Sequence, residues 1–153
     1  MESKKIIIVQ KESFDIEDFI LELKNDSNSV GGVVSFIGYV RDFLCSDKTS
    51  SINNLFLEHY PGMTEKALNK IASMALRKWP IINLGIIHRY GLLKAGEPIV
   101  AVVVLSEHRD QAFDACKFII DYLKTEAPFW KKEVSNNYAN WVEQKESDLI
   151  KIK

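Results

Sequence analysis

Apolar and polar positions recur along this chain with two different periods, and the period in force changes several times. Lys5 to Gln10 is a short apolar run bounded by charge and reads as a strand. Asp15 is placed to cap a short helix through about Lys24, with Ile16, Phe19, Ile20 and Leu23 on one face. The polar run Asn25 to Ser29 ends it. After Gly31-Gly32 comes the β-branched stretch Val33 to Arg41, which predicts a second strand. Cys45 to Ser51 is polar and serine-rich, and is expected to be a surface loop between two paired strands.

Leu55 to His59 resumes as a strand, and Tyr60-Pro61-Gly62 is a turn, since proline pre-sets one central dihedral and glycine tolerates positive φ. Thr64 is placed to cap a helix over Glu65 to Trp79, where Leu68, Ile71, Ala72, Ala75 and Trp79 recur at three- and four-residue steps until Pro80. Leu84 to Tyr90 and Ile99 to Ser106 read as strands joined by a segment containing Gly91, Gly96 and Pro98. Asp110 to Glu126 carries Phe113, Cys116, Ile119, Ile120 and Leu123 on a helical stripe, and Pro128 disfavours helix just before it. Trp130 to Val134 and Tyr138 to Val142 flank Asn136-Asn137 and predict a terminal hairpin. From Glu143 onward the charged end reads as a short helix or a mobile, frayed tail. No repeat or linker divides the 153 residues, so the expectation is one α+β domain over 1–153 with a mostly antiparallel or mixed sheet.

Composition narrows the function classes. A hydrophobic content of 46%, a charged content of 27% and a net charge of -1 fit an ordinary globular protein with no long-range pull toward nucleic acid. The apolar run Ile6 to Val9 is too short for a signal-peptide core or a membrane span, and the chain reads as cytoplasmic. Cys45 and Cys116 with three scattered histidines, His59, His88 and His108, form neither a disulfide framework nor a metal-ligand set.

Some residues could carry chemistry. Ser106-Glu107-His108-Arg109 marks a strand end and a helix start, where unpaired N–H groups suit an anion. Arg109 opposes the helix dipole there, so it either serves a phosphate or carboxylate or pairs with Glu107 or Asp110. Arg41 closes a strand beside a loop, as a phosphate clamp or as a solvated cation. Lys124 falls in the last turn of the long helix, where a cation suits the dipole and Asp121 is near enough to pair. Lys131 and Lys132 follow the rigid apolar run Pro128-Phe129-Trp130; ammonium groups crowded against an aromatic wall favour proton transfer by lysine near neutral pH, or bind an anion. Neither cysteine has the surroundings of a nucleophile, and His59 and His88 read as structural.

Glu58-His59-Tyr60-Pro61-Gly62-Met63, His88-Arg89-Tyr90-Gly91, His108-Arg109, and Asp121 through Lys124 with Ala127 through Glu133 together resemble the catalytic, large-subunit family of molybdopterin synthase. The likeness runs from about Val33 to Ser147, and several motifs in order are far more specific than one. It implies an α/β hammerhead fold with an added antiparallel β subdomain, and a homodimer within a heterotetramer. It further implies a sulfurtransferase that needs no bound cofactor or metal. Its partner would be a small ubiquitin-like subunit whose C-terminal thiocarboxylate, threaded into a pocket, gives sulfur to cyclic pyranopterin monophosphate to form the molybdopterin dithiolene.

By the same resemblance Lys124 and Lys131 match the family's two essential lysines, and Phe36, Arg41, His108 and Arg109 its substrate-binding residues, the last pair reaching across from the second protomer. Lys145 stands where arginine is frequent in the substrate site, keeping the charge but not the planar fork. Tyr39 stands where many relatives have lysine. There are two rivals: from a different class, a binding module that holds a ubiquitin-like tail or phosphometabolite without turnover, and among enzymes, a lysine-dependent transferase or Schiff-base enzyme acting on another phosphorylated substrate.

Overall fold

The computed structural model describes residues 2–41, 43–44, 51–52, 54–127, 129–135 and 138–142; for 43–44, 51–52, 130, 132–135 and 138–142 only the backbone is described. Among the described residues, ten strands and three helices follow one another as β1 (Lys4–Gln10), α1 (Ile16–Lys24), β2 (Gly32–Tyr39), β3 (Phe43–Leu44), β4 (Ser51–Ile52), β5 (Asn54–His59), α2 (Met63–Lys78), β6 (Ile81–Arg89), β7 (Gly91–Lys94), β8 (Pro98–Ser106), α3 (Arg109–Glu126), β9 (Phe129–Ser135) and β10 (Tyr138–Val142). They form a mixed sheet in the order β1-β6-β8-β2, an antiparallel sheet in the order β10-β9-β5-β7, and the small β3-β4 pair. This is the α+β arrangement expected, with an antiparallel sheet added to a mixed one. β1 supplies the one parallel pairing of the mixed sheet, on β6.

β8 explains the layering. Its residues alternate between faces, as strand geometry requires. Val102 and Val104 pack with Leu68, Ile71, Ala112 and Ile119 of α2 and α3, whereas Ala101, Val103 and Leu105 pack with Phe19 and Leu23 of α1. The mixed sheet is therefore covered on both faces, and its central strand reads as a continuous apolar run rather than an alternating one. α1 approaches closely because of Gly85, where a Cβ would lie 2.4 Å from the Phe19 ring. A smaller cluster of Val40, Leu55, Leu57 and Leu93 forms where the second sheet meets the first.

Local signals mostly match this architecture. The Asp15 side chain accepts from the Asp18 N–H and caps α1. The loop over Cys45 to Ser50 lies outside the described residues, but the strands flanking it, β3 and β4, do pair. The β9-β10 hairpin forms as expected. Three expectations are corrected. α2 starts at Met63 with Gly62 as its N-cap, not at Glu65 behind Thr64. The Glu65 carboxylate accepts from the Gly62 N–H at 2.6 Å, and the Thr64 hydroxyl turns back to accept from Tyr60 N–H, so the first turn closes earlier. The segment after Tyr90 is not a plain connection: Gly91–Lys94 is β7, paired with β5. The strand expected from Leu84 begins at Ile81, because β8 is long enough to pair with it from Ser106 onward.

Candidate active site

The path of α3 decides which candidates meet. Only Glu107 and His108 separate β8 from α3, and the helix packs on β8 and β2, so it must run back along the strand it has just left. Eighteen residues of helix span about 27 Å and nine of strand about 30 Å. Lys124, in the last turn of α3, therefore returns to the Pro98 end of β8. β2 and β6 both run antiparallel to β8, which brings their own last residues, and Arg41 just beyond β2, to that same end.

Backbone and side-chain bonds tie this end together. The Val40 N–H donates to Glu97 O at 2.9 Å, and the Gly96 N–H to Val40 O at 2.7 Å. The Arg89 guanidinium, buried at the end of β6, donates to Lys11 O at 3.0 Å and Pro98 O at 2.9 Å and sits 3.7 Å from the Glu97 carboxylate. Arg89 thus joins the β1-α1 loop to the β7-β8 turn. Its charge is matched rather than exposed, which a buried guanidinium requires.

Beyond α3 the chain enters β9, where Phe129 faces His59 and Lys131 faces Leu57 of β5. Phe129 and Lys131 are two residues apart and so project from the same face of the strand. The Phe129 ring lies on His88 with centroids 3.6 Å apart and planes 17° from parallel. His59 lies 4.0 Å from the Tyr90 ring and 4.0 Å from a Glu65 oxygen. His88 is 5% exposed, and its Nδ1 lies 2.8 Å from Arg89 O, which fixes Nδ1 as the protonated nitrogen donating to that carbonyl. Burial pushes its pKa down to about 4, opposed by that hydrogen bond and reinforced by the nearby charges of Lys131 and His59. His88 is neutral at pH 7, with Nε2 as an acceptor. Alongside runs an open cleft of about 520 Å³, lined by Lys11, Leu57, His59, Pro61, Tyr90 and Leu92 among others.

The other candidates stand elsewhere. His108 is the N-cap of α3 and Arg109 its first residue, both exposed, at the Ser106 end of β8. A Cβ on Gly32 would lie 3.9 Å from the Arg109 Cα, so Arg109 flanks the start of β2 and lies roughly 30 Å along that strand from Arg41. The turn carrying it is held from both sides. The Ser106 hydroxyl donates to His108 O, the Gly31 N–H donates to Ser106 O at 3.0 Å, and a Cβ on Gly31 would lie 2.0 Å from Glu107 O. Arg109 makes no ion pair with Glu107 or Asp110. Phe36 lies midway along the edge strand β2 and is 38% exposed. Lys145 lies outside the described residues.

Asp121, expected beside Lys124, pairs with Lys117 at 2.8 Å across one helical turn. The Cys116 thiol is buried and pushed up to about 12 by desolvation, which makes it inert. Among the described residues no group of three or more His, Cys, Asp or Glu could hold a metal ion, and no helix is long and apolar enough to cross a membrane. The sequence reads His88 as structural; it closes β6 buried, bonded to Arg89 O and stacked on Phe129.

The family model described as MoaE protein matches residues 9–126. The chain belongs to the MoaE protein family. It is similar to the molybdopterin synthase catalytic subunit of Pseudomonas aeruginosa, 51% identical over 93% of both chains. Among solved structures it is similar to the molybdopterin cofactor biosynthesis protein E of Burkholderia multivorans, with a TM-score of 0.80 at 42% identity over 97% of this chain and 96% of that one. It is also similar to molybdopterin synthase from Staphylococcus aureus, with a TM-score of 0.79 at 31% identity over 89% and 96%. The MoaE match runs from Val9, near the end of β1, to the end of α3, and so includes Arg41, His88, His108, Arg109 and Lys124.

Proposed function

We propose that this chain is the catalytic subunit of a molybdopterin synthase and a sulfurtransferase, moving sulfur from the C-terminal thiocarboxylate of a small ubiquitin-like subunit to cyclic pyranopterin monophosphate. The supporting observation is that α3 returns Lys124 to the end of the sheet where Arg41 closes β2 and where β9 carries Lys131 past His88, in a chain of the MoaE family. Three cations on separate elements suit a substrate with a phosphate and an incoming anionic thiocarboxylate. Arg41 pairs with the phosphate. Lys124 and Lys131 stabilise the thiocarboxylate and the charge developing on the leaving oxygen, and one of them delivers its proton as general acid. Each new C–S bond replaces a C–O bond on the substrate; water then attacks the carrier's acyl carbon and breaks its C–S bond, releasing the carrier as a carboxylate, and a second thiocarboxylate supplies the second sulfur. Inert Cys116 fits this route, because the sulfur arrives on the partner.

Phe36, His108, Arg109 and Lys145 complete the substrate site in this reading. Since His108 and Arg109 stand far from Arg41 within one chain, they serve the site of a second copy, and the working assembly is a homodimer with two small subunits, in the cytoplasm. The cleft beside His59 and Tyr90 is of a size and openness to accept an extended peptide tail.

The test is reconstitution. The purified chain, a thiocarboxylated small subunit and cyclic pyranopterin monophosphate are mixed, and the dithiolene product and spent carrier are followed by mass spectrometry. Product with stoichiometric loss of carrier sulfur is the expected result. Tight carrier binding without product would favour the binding-module reading, and borohydride trapping of a substrate on lysine would favour the Schiff-base one.

A further inference from the structure

We infer that His88 is a positioning residue for Lys131, acting through the ring of Phe129. The inference rests on the reading that Lys131 takes part in the chemistry.

The geometry is a short mechanical chain. His88 ends β6, whose pairing with β8 anchors it in the mixed sheet, whereas Phe129 and Lys131 belong to β9 of the second sheet. The 3.6 Å stack of His88 on Phe129 therefore links the two sheets where β9 begins. The His88 ring cannot turn freely, since Nδ1–H is held by Arg89 O and Arg89 is itself held by Lys11 O and Pro98 O. On β5, His59 sits opposite Phe129 with ring centroids 6.4 Å apart, so a second imidazole lies near the Phe129 ring. Lys131, on the same face of β9 as Phe129, inherits that placement.

Phenylalanine at position 88 can stack on Phe129 as the imidazole does and loses only the bond to Arg89 O, so it separates the stack, which places Phe129 and Lys131, from that bond, which steadies the ring. Among the described residues, the charged or titratable groups around this point are Lys131 on β9, His59 on β5 with Glu65 of α2 beyond it, and Arg89 and Lys11 on the side of Tyr90. Because the buried imidazole is neutral at pH 7, it crowds Lys131 without repelling its charge. A protonated side chain there would do the opposite.

The experiment compares the wild type with His88→Ala and His88→Phe in the complete system of carrier and substrate. The expected result is a fall in kcat of about tenfold or more for His88→Ala, since small misplacements of a reacting group are costly. KM for the thiocarboxylated carrier should stay within about twofold, and His88→Phe should recover most of kcat because the stack returns. A folded His88→Ala whose kcat is within twofold of the wild type overturns the proposal. So does a loss that His88→Phe fails to restore although its melting temperature is regained. In parallel, the lysines are reductively methylated with ¹³C and the Lys131 signal is assigned with Lys131→Arg. The signal should move in His88→Ala and return toward its place in His88→Phe. If the wild type gives no product yet the signal behaves so, the positioning role stands and the proposed function falls.

Discussion

Arg109 and Arg41 stand at opposite ends of β2, one beside Gly32 where the strand begins and the other just past Tyr39 where it ends. If both hold the phosphate of one substrate, as proposed, they cannot both come from one copy at that separation. Arg41→Ala and Arg109→Ala should each lose about tenfold or more in activity, the scale of a lost charge-assisted hydrogen bond. Mixed and allowed to exchange subunits, they should regain roughly a quarter of wild-type activity, because half of the dimers are then hybrids with one intact site. Turnover measured before and after exchange checks this, and no recovery in a verified hybrid would place both arginines in separate tasks.

Gly31 holds the turn below Arg109 by close approach. A methyl group there meets the Glu107 carbonyl, so Gly31→Ala should lower stability by about 1 to 3 kcal/mol and weaken phosphate-dependent substrate binding. Urea denaturation and KM for the substrate report the two effects. Gly62, where a Cβ meets nothing within 4 Å but φ is +85°, offers the contrasting case of strain without a clash.

The neutral, buried state of His88 makes stability depend on pH. Its pKa lies below the ordinary 6.5, so between pH 6.5 and about 4 the unfolded chain binds a proton that the folded chain refuses. Stability is therefore full above pH 6.5 and falls through that window as the solution is acidified, by on the order of 3 kcal/mol from this residue. Denaturation midpoints at pH 7, 5.5 and 4.5 should show the decline in the wild type and a flatter profile in His88→Phe.

α3 is seated by residues such as Ile119, fully buried against β8. Ile119→Ala should cost about 2 to 5 kcal/mol in urea denaturation. Cys116, on the same stripe, should resist thiol reagents in the native protein, and Cys116→Ala should retain turnover.

Much of this was legible in the chain because it is local. The periodicity of α3, the cap at Asp15 and the β9-β10 pairing each depend on residues close together in the chain. β7 was not legible, since four residues with Leu92 exposed gain their strand only by pairing with β5. The start of α2 was misplaced because Glu65 and Thr64 share the work of closing the first turn, so the cap did not fall where a hydroxyl residue suggested. Of the site, the residue types at Lys124, Lys131, Arg41 and Arg109 could be picked out one by one. Their division between two ends of the sheet could not, because it follows from the direction of α3 and the order of strands. The stack of His88 on Phe129 was not legible for the same reason: the two rings are far apart along the chain and on different sheets.

The proposed part of Lys124 and Lys131 in sulfur transfer is decided by running Lys124→Ala and Lys131→Ala beside the wild type in the reconstituted reaction, with carrier binding measured on the same samples. Both variants should fold, bind the carrier and form product at least about a hundredfold more slowly, the scale expected for removing an acid or an oxyanion-stabilising cation. Near wild-type product formation by either folded variant would contradict it.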